Sequence, residues 1–120
     1  MHFYLFCDKI LVGEFMRLRN VKNKEVIMES SSYFVGDGTI YKGHWRDYFH
    51  NNNPIYIEIG MGKGQFITEN AVKYPNINFI GIEKYDSVIV RGLQKVPDGL
   101  DNLVMLRADA LTIEDILIMK

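Results

Sequence analysis

The stretch Ile55-Tyr56-Ile57-Glu58-Ile59-Gly60-Met61-Gly62-Lys63-Gly64 decides how this chain is read. Its first five residues are β-branched or aromatic apart from Glu58, and Pro54 and Gly60 bound them, which predicts a strand. Glycines follow at every second position, where a chain must turn sharply or let a ligand approach its backbone. The next residues predict a helix over Gln65–Tyr74 with Phe66, Ile67, Ala71 and Val72 on one face. Pro75 ends it, because the residue before a proline is driven out of the helical region. Working outward, Ile77–Ile82 reads as a second buried strand. Asp86 is a candidate N-cap for a helix over Ser87–Val96, stopped by Pro97-Asp98-Gly99. Leu103–Leu106 reads as a third strand, and Thr112 as the cap of a last helix. Short apolar strands separated by helices imply parallel βαβ units and an α/β fold. Three strands leave Ile55–Ile59 with an unpaired edge, so residues 55–120 read as the first half of an α/β domain.

The composition agrees with a globular protein. Of 120 residues, 48% are hydrophobic and 24% charged, so apolar surface is sufficient for a core. Fourteen basic residues against 15 acidic ones give a net charge of -1. A uniformly basic nucleic-acid binder is excluded; a local basic patch is not. Cys7 is the single cysteine and cannot form an internal disulfide, which fits a cytosolic protein. His2, His44 and His50 lack metal-ligand spacing, so no metal is expected. No apolar run is long enough to cross a membrane. The run Phe3–Cys7 stops at Asp8-Lys9 and has no basic segment before it, so it is not read as a secretory signal.

Residues 16–54 form a basic and aromatic segment. Met16–Lys24 carries Arg17, Arg19, Lys22 and Lys24 and no acid. Ser30–Ser32 and Gly36-Asp37-Gly38 are turn chemistry. Tyr41–Phe49 predicts a short helix or packed loop in which Tyr41, Trp45, Tyr48 and Phe49 are packing residues. Residues 1–15 stand apart as an upstream extension.

The chemistry collects at the C-terminal ends of the strands, where open α/β sheets bind ligands. Gly60, Gly62 and Gly64 form the first turn. Glu83 ends the second strand, about twenty residues further on, where an acid suits the two hydroxyls of a ribose. Asp109 follows the third strand and can accept from an adenine amine. No Walker A loop is present, and G-x-G-x-G is not the dinucleotide spacing. Glu58 separates the remaining ligands. A carboxylate beside the turn repels a pyrophosphate but suits a ligand bearing an ammonium group and a positive sulfur. S-adenosylmethionine has both, with a ribose, an adenine and no phosphate. A nicotinamide-dependent oxidoreductase is disfavoured on the same grounds. Each residue also has a structural reading: the glycines as a tight βα turn, Glu83 as a solvated strand-end acid, Asp109 as a turn or cap residue, Lys63 as a solvated cation. Glu58 lies inside an apolar strand and needs a partner when buried.

Met16–Lys24, Tyr41-Lys42-Gly43-His44-Trp45, the run from Asn53 to Ile67 and Asn78-Phe79-Ile80-Gly81-Ile82-Glu83 together resemble bacterial tRNA (guanine-N7-)-methyltransferases. The resemblance covers about Met16 to Asp115, and E-I-G-x-G-K-G-x-F followed by G-I-E is its most specific part. It implies a Rossmann-like class I methyltransferase fold, here truncated after about three parallel strands. It also implies S-adenosylmethionine as cofactor on Glu58, Gly60, Gly62, Gly64, Glu83 and Asp109, and methylation of a variable-loop guanine in tRNA. Arg17, Arg19, Lys22 and Lys24 are then candidates for tRNA phosphates. Polypeptides of that family begin near a position like Met16, so residues 1–15 are either an extension or an N-terminal strand or helix packing on the domain. The family also carries an F-S-D-P-W-P-like motif after its fourth strand. This chain ends at Lys120 without one, so no catalytic residue is expected in it. A non-catalytic fragment that binds the cofactor weakly, or a different class I methyltransferase, is the alternative expectation.

Overall fold

The computed structural model describes residues 3–7 and 23–112. Strand β1 (Phe3–Cys7) is followed by helix α1 (Lys24–Ser30), a 3-10 turn (Thr39–Tyr41) and helix α2 (Trp45–Phe49). Strand β2 (Ile55–Ile59), helix α3 (Gln65–Lys73), strand β3 (Asn78–Glu83), helix α4 (Asp86–Leu93) and strand β4 (Leu103–Arg107) then alternate, and a 3-10 turn spans Ala110–Thr112. The three expected strands are present, displaced by at most one residue at an end.

The sheet is parallel with order β1-β2-β3-β4. The expected free edge of β2 does not exist. Phe3–Cys7 pairs along it, Phe3 opposite Ile55 and Cys7 opposite Ile59. The extension therefore contains a strand, and β2 lies inside the sheet. Its other neighbour is β3, with Glu58 opposite Gly81. The outer edge of β4 is covered by a loop: Met105 N–H donates to the Tyr33 carbonyl and Arg107 N–H to the Gly36 carbonyl. Covering an edge in this way removes the template on which another strand would pair.

Alternating residues of each strand feed two cores, because successive side chains point to opposite faces. On one face Phe79, Leu103 and Met105 pack with Met28 of α1, Ile67 and Ala71 of α3, and Ile89, Val90 and Leu93 of α4. On the other, Ile55, Ile57, Ile80, Ile82, Val104 and Leu106 pack with Trp45 and Phe49 of α2. The aromatic segment is packing, as expected. Helices on both faces explain why these strands are apolar throughout.

Two helix expectations are corrected. Only Ile67 and Ala71 of α3 are buried; Phe66 is 48% and Val72 55% exposed. Ile67 and Ala71 sit four apart on the inner line, whereas Phe66 and Val72 lie about 100° to either side of it. The N-cap of α4 is Tyr85, not Asp86, which occupies the first turn. Buried Asn102 supplies a tie that the pattern did not signal. Its amide nitrogen lies 2.9 Å from the carbonyl of Ala71, 3.1 Å from that of Tyr74 and 2.9 Å from that of Ile77. It thereby satisfies the Ala71 carbonyl, which the end of α3 leaves without a helical partner, and ties α3 to the turn before β3.

Candidate functional site

The turn after β2 is anchored by its own backbone. Gly60 and Met61 N–H both donate to the Ile82 carbonyl, at 2.8 and 3.1 Å, and Gly64 N–H donates to the Met61 carbonyl at 3.0 Å. Gly60, Gly62 and Gly64 all have φ near +60 to +70°, the left-handed region that favours glycine. Gly64 has a second reason: a Cβ there would lie 2.7 Å from Met105 Cε. Gly62 faces open space. Gly64 is also the N-cap of α3, so no side chain caps the first turn of that helix.

Glu83 is 3% exposed, so it is not a solvated strand-end acid. One carboxylate oxygen accepts the Gly62 N–H at 3.2 Å; the other accepts the N–H of Lys84 at 3.0 Å and of Tyr85 at 3.2 Å. A carboxylate has about four acceptor positions, so capacity remains for a further donor. Asp109 lies at the same sheet edge, since Ala108 N–H donates to the Glu83 carbonyl at 3.1 Å. Its side chain is exposed and accepts the Leu111 N–H at 3.0 Å, capping the turn Ala110–Thr112. That is the structural reading of Asp109.

Glu58 is fully buried, and neither of its carboxylate oxygens has a hydrogen-bond partner among the described residues. On β2 it shares with Tyr56 the face covered by α1, α3 and α4, and Gly81 stands opposite it. A Cβ on Gly81 would meet the Met61 sulfur, so the absence of a side chain there lets Met61 fold in from the turn. An orphaned buried carboxylate is costly and needs a donor or a cation.

The structure brings Gly60, Gly62, Gly64 and Glu83 together, with Asp109 at the adjoining strand end. Arg17, Arg19 and Lys22 lie outside the described residues. Lys24 does not stand free for a phosphate; its ammonium lies 3.7 Å from Asp86. That contact belongs to a network missed in the sequence. Arg107 donates to Asp86 at 3.0 Å and lies 3.7 Å from Glu25. The hydrogen bond to Asp86 raises the Arg107 pKa above its ordinary value. The network ties α1 and α4 to the end of β4. Gly92 was missed too: a Cβ there would lie 2.7 Å from the Lys63 carbonyl oxygen, so α4 accepts the glycine turn only without a side chain at that position. A glycine inside a helix is the signal that marks it.

This arrangement sets the buried carboxylate of Glu83 and the exposed one of Asp109 beside the backbone of the glycine turn, with Lys63 in that turn and Arg107 at the end of β4 paired to Asp86. Among the described residues there is no cluster of metal-ligating side chains, and no helix is long and apolar enough to cross a membrane.

Residues 52–118, more than half of the chain, match the family described as "Putative methyltransferase". The chain is 53% identical over 102 residues to a tRNA (guanine-N(7)-)-methyltransferase of Lachnoclostridium phytofermentans, covering 84% of this chain and 48% of the relative. It is 45% identical over 103 residues to the protein of that name from Bacillus velezensis, with 84% and 48% covered. It is 52% identical over 97 residues to the one from Lysinibacillus sphaericus, with 78% and 45% covered. The chain thus spans about half the length of the curated relatives it matches. A solved structure of an antibiotic-related methyltransferase superposes with a TM-score of 0.53 at 24% identity, covering 62% of this chain and 42% of that one. That likeness shows the fold: the parallel sheet is of the Rossmann-like methyltransferase kind.

Proposed function

The chain belongs to the methyltransferase family that its residues 52–118 match, and from that premise we propose that it serves the N7-methylation of a guanine in tRNA with S-adenosylmethionine as donor. The substrate follows from the similarity to proteins of that name; a guanine in the variable loop is the target this reading implies, and the cytoplasm the compartment.

The observation that carries the cofactor is the pair of buried Glu58 oxygens, which have no hydrogen-bond partner among the described residues. When bound, S-adenosylmethionine supplies a methyl group on a positively charged sulfur. The residues present fit it. Glu58 provides the negative charge that an ammonium or sulfonium compensates. Gly60, Gly62 and Gly64 provide a turn whose backbone can be approached closely. Glu83 retains acceptor capacity for ribose hydroxyls, and Asp109 presents an exposed carboxylate at the neighbouring strand end. Guanine N7 attacks through a lone pair, so the work of these residues is to bind and orient rather than to move a proton.

Two measurements test the reading. Titration calorimetry of the purified chain with S-adenosylmethionine should show binding that Glu58→Gln weakens. Incubation of the chain, completed with the remaining half of the Lachnoclostridium phytofermentans relative, with a tRNA transcript and the donor, followed by nucleoside mass spectrometry, should reveal N7-methylguanosine. Binding that is indifferent to Glu58, or methylation at another atom, overturns the proposal.

A further inference from the structure

A groove of about 570 Å³ runs between α3 and the end of α4, and of the donor-site residues described above only Gly64 borders it. Lys63 stands at one end, in the glycine turn; Lys95 and Pro97 line the side that follows α4, and Val72 lines the α3 side. The two lysines are brought to one groove by a specific packing. The Lys63 carbonyl lies against the bare face of Gly92, and Lys95 follows one turn later, its N–H donating to the Gly92 carbonyl at 3.0 Å.

Neither ammonium makes an ion pair with any described residue. The acid in the groove, Glu69, accepts from the Gln65 amide at 3.2 Å. The first turn of α3 opens on the same end without a side-chain cap, which adds positive potential there. Two unpaired cations beside an exposed apolar wall suit a chain that carries phosphates outside and flat or apolar groups between them.

We propose that this groove holds the phosphodiester backbone of the RNA substrate, with Lys63 and Lys95 on phosphates. The proposal rests on the RNA-methylating reading above and places a substrate anchor directly beside the turn that holds the donor. Of the basic run expected to contact RNA, Lys24 is paired with Asp86, and Arg17, Arg19 and Lys22 lie outside the described residues.

The test is fluorescence anisotropy of the full chain with a labelled tRNA transcript across a salt series. Each phosphate contact contributes about 0.7–0.9 to the slope of log affinity against log salt. Lys95→Gln is the decisive variant because Lys95 lies outside the glycine turn. It should make the slope shallower by about 0.7–0.9 and weaken binding, and Lys63→Gln combined with it should double the change. Lys73→Gln, which removes a cation on α3 outside the groove, should leave the slope close to the parent's. Glu69→Gln should tighten RNA binding. The proposal is overturned if the parent binds no RNA, or if Lys95→Gln behaves as Lys73→Gln does. It is also overturned if polyglutamate displaces the RNA with the same dependence on Lys95, which would assign the groove to an acidic peptide. Calorimetry with S-adenosylmethionine on the same proteins separates the two readings. Donor binding that persists while Lys95 is silent sinks the groove alone; loss of donor binding in the parent sinks the enzyme reading beneath it.

Discussion

The Glu83 carboxylate accepts the Gly62 backbone N–H at 3.2 Å, so the end of β3 holds the turn that follows β2. The same side chain also holds the chain's exit from β3, through Lys84 and Tyr85. One acid therefore fixes two loops that border the candidate donor site, so the ligand role proposed for it and its structural role would be lost together.

Glu83→Ala removes the acceptor of three backbone amides at once. Water will satisfy some of them, so the expected cost is on the order of 2–3 kcal/mol in urea unfolding. Donor affinity should fall with it. Glu83→Gln keeps one acceptor oxygen and should cost less than the alanine variant in both measurements. An unchanged unfolding midpoint in Glu83→Ala would show that the turn does not depend on this carboxylate.

Glu58 should behave in the opposite way. Its buried carboxylate has no hydrogen-bond partner among the described residues, so replacing it with an apolar side chain of similar size removes an uncompensated polar group. Glu58→Met should raise the stability of the ligand-free chain by about 1–4 kcal/mol. The same change should weaken S-adenosylmethionine at least tenfold, about 1.4 kcal/mol. Unfolding and calorimetry on one preparation give both signs. A variant that loses stability would mean that Glu58 supports the fold rather than a ligand.

Much of this was legible before the structure. Ile55–Ile59, Ile77–Ile82 and Leu103–Leu106 are mostly apolar runs bounded by Pro54 and Gly60, by Asn76 and Glu83, and by Asn102 and Arg107, and local signals of that kind place strands well. The glycine turn and Glu83 were legible as neighbours because strand ends in a parallel sheet gather in one place. The pairing of Phe3–Cys7 with β2 was not, since about fifty residues separate the partners and no local pattern encodes such a pairing. The Arg107–Asp86 contact and the fit of Lys63 against Gly92 are also tertiary. Phe66 and Val72 were misplaced because an apolar residue flanking the buried line of a short helix looks identical in sequence to one on it.

Tyr48 supplies a pH prediction. Burial, then the neighbouring Tyr41 and Tyr33, push its hydroxyl from 10.0 up to about 12. The folded-state value is thus above the unfolded one, so the neutral phenol is the form the fold accepts. The associated stability is complete below pH 10 and is lost as pH rises from 10 through about 12. A shift of that size corresponds to at most about 2–3 kcal/mol, less after solvent screening of a partly exposed ring. Tyr48→Phe loses the hydrogen bond to the Ser32 carbonyl, a constant cost, but should flatten the alkaline decline in a series of unfolding curves. An equally steep decline in the variant would place the titrating group elsewhere.

Gly62 and Gly92 offer a paired test of how the turn is held. Gly62 has φ +61° and open space where a Cβ would go. Alanine there meets no atom and costs only the left-handed backbone, about 1–2 kcal/mol. Gly92 is the reverse. It lies in α4, where alanine is favoured over glycine by about 1 kcal/mol. Its Cβ would nevertheless lie 2.7 Å from a backbone oxygen, that of Lys63, which no side-chain rotation can move away. The turn itself must shift, and with it the Gly62 N–H that Glu83 accepts. Gly92→Ala should therefore lower donor affinity more than Gly62→Ala does, even where the two variants are equally stable. Stability from urea unfolding and affinity from calorimetry separate the effects. If Gly92→Ala gains stability and binds the donor as the parent does, helix propensity has won and the turn is not seated on α4.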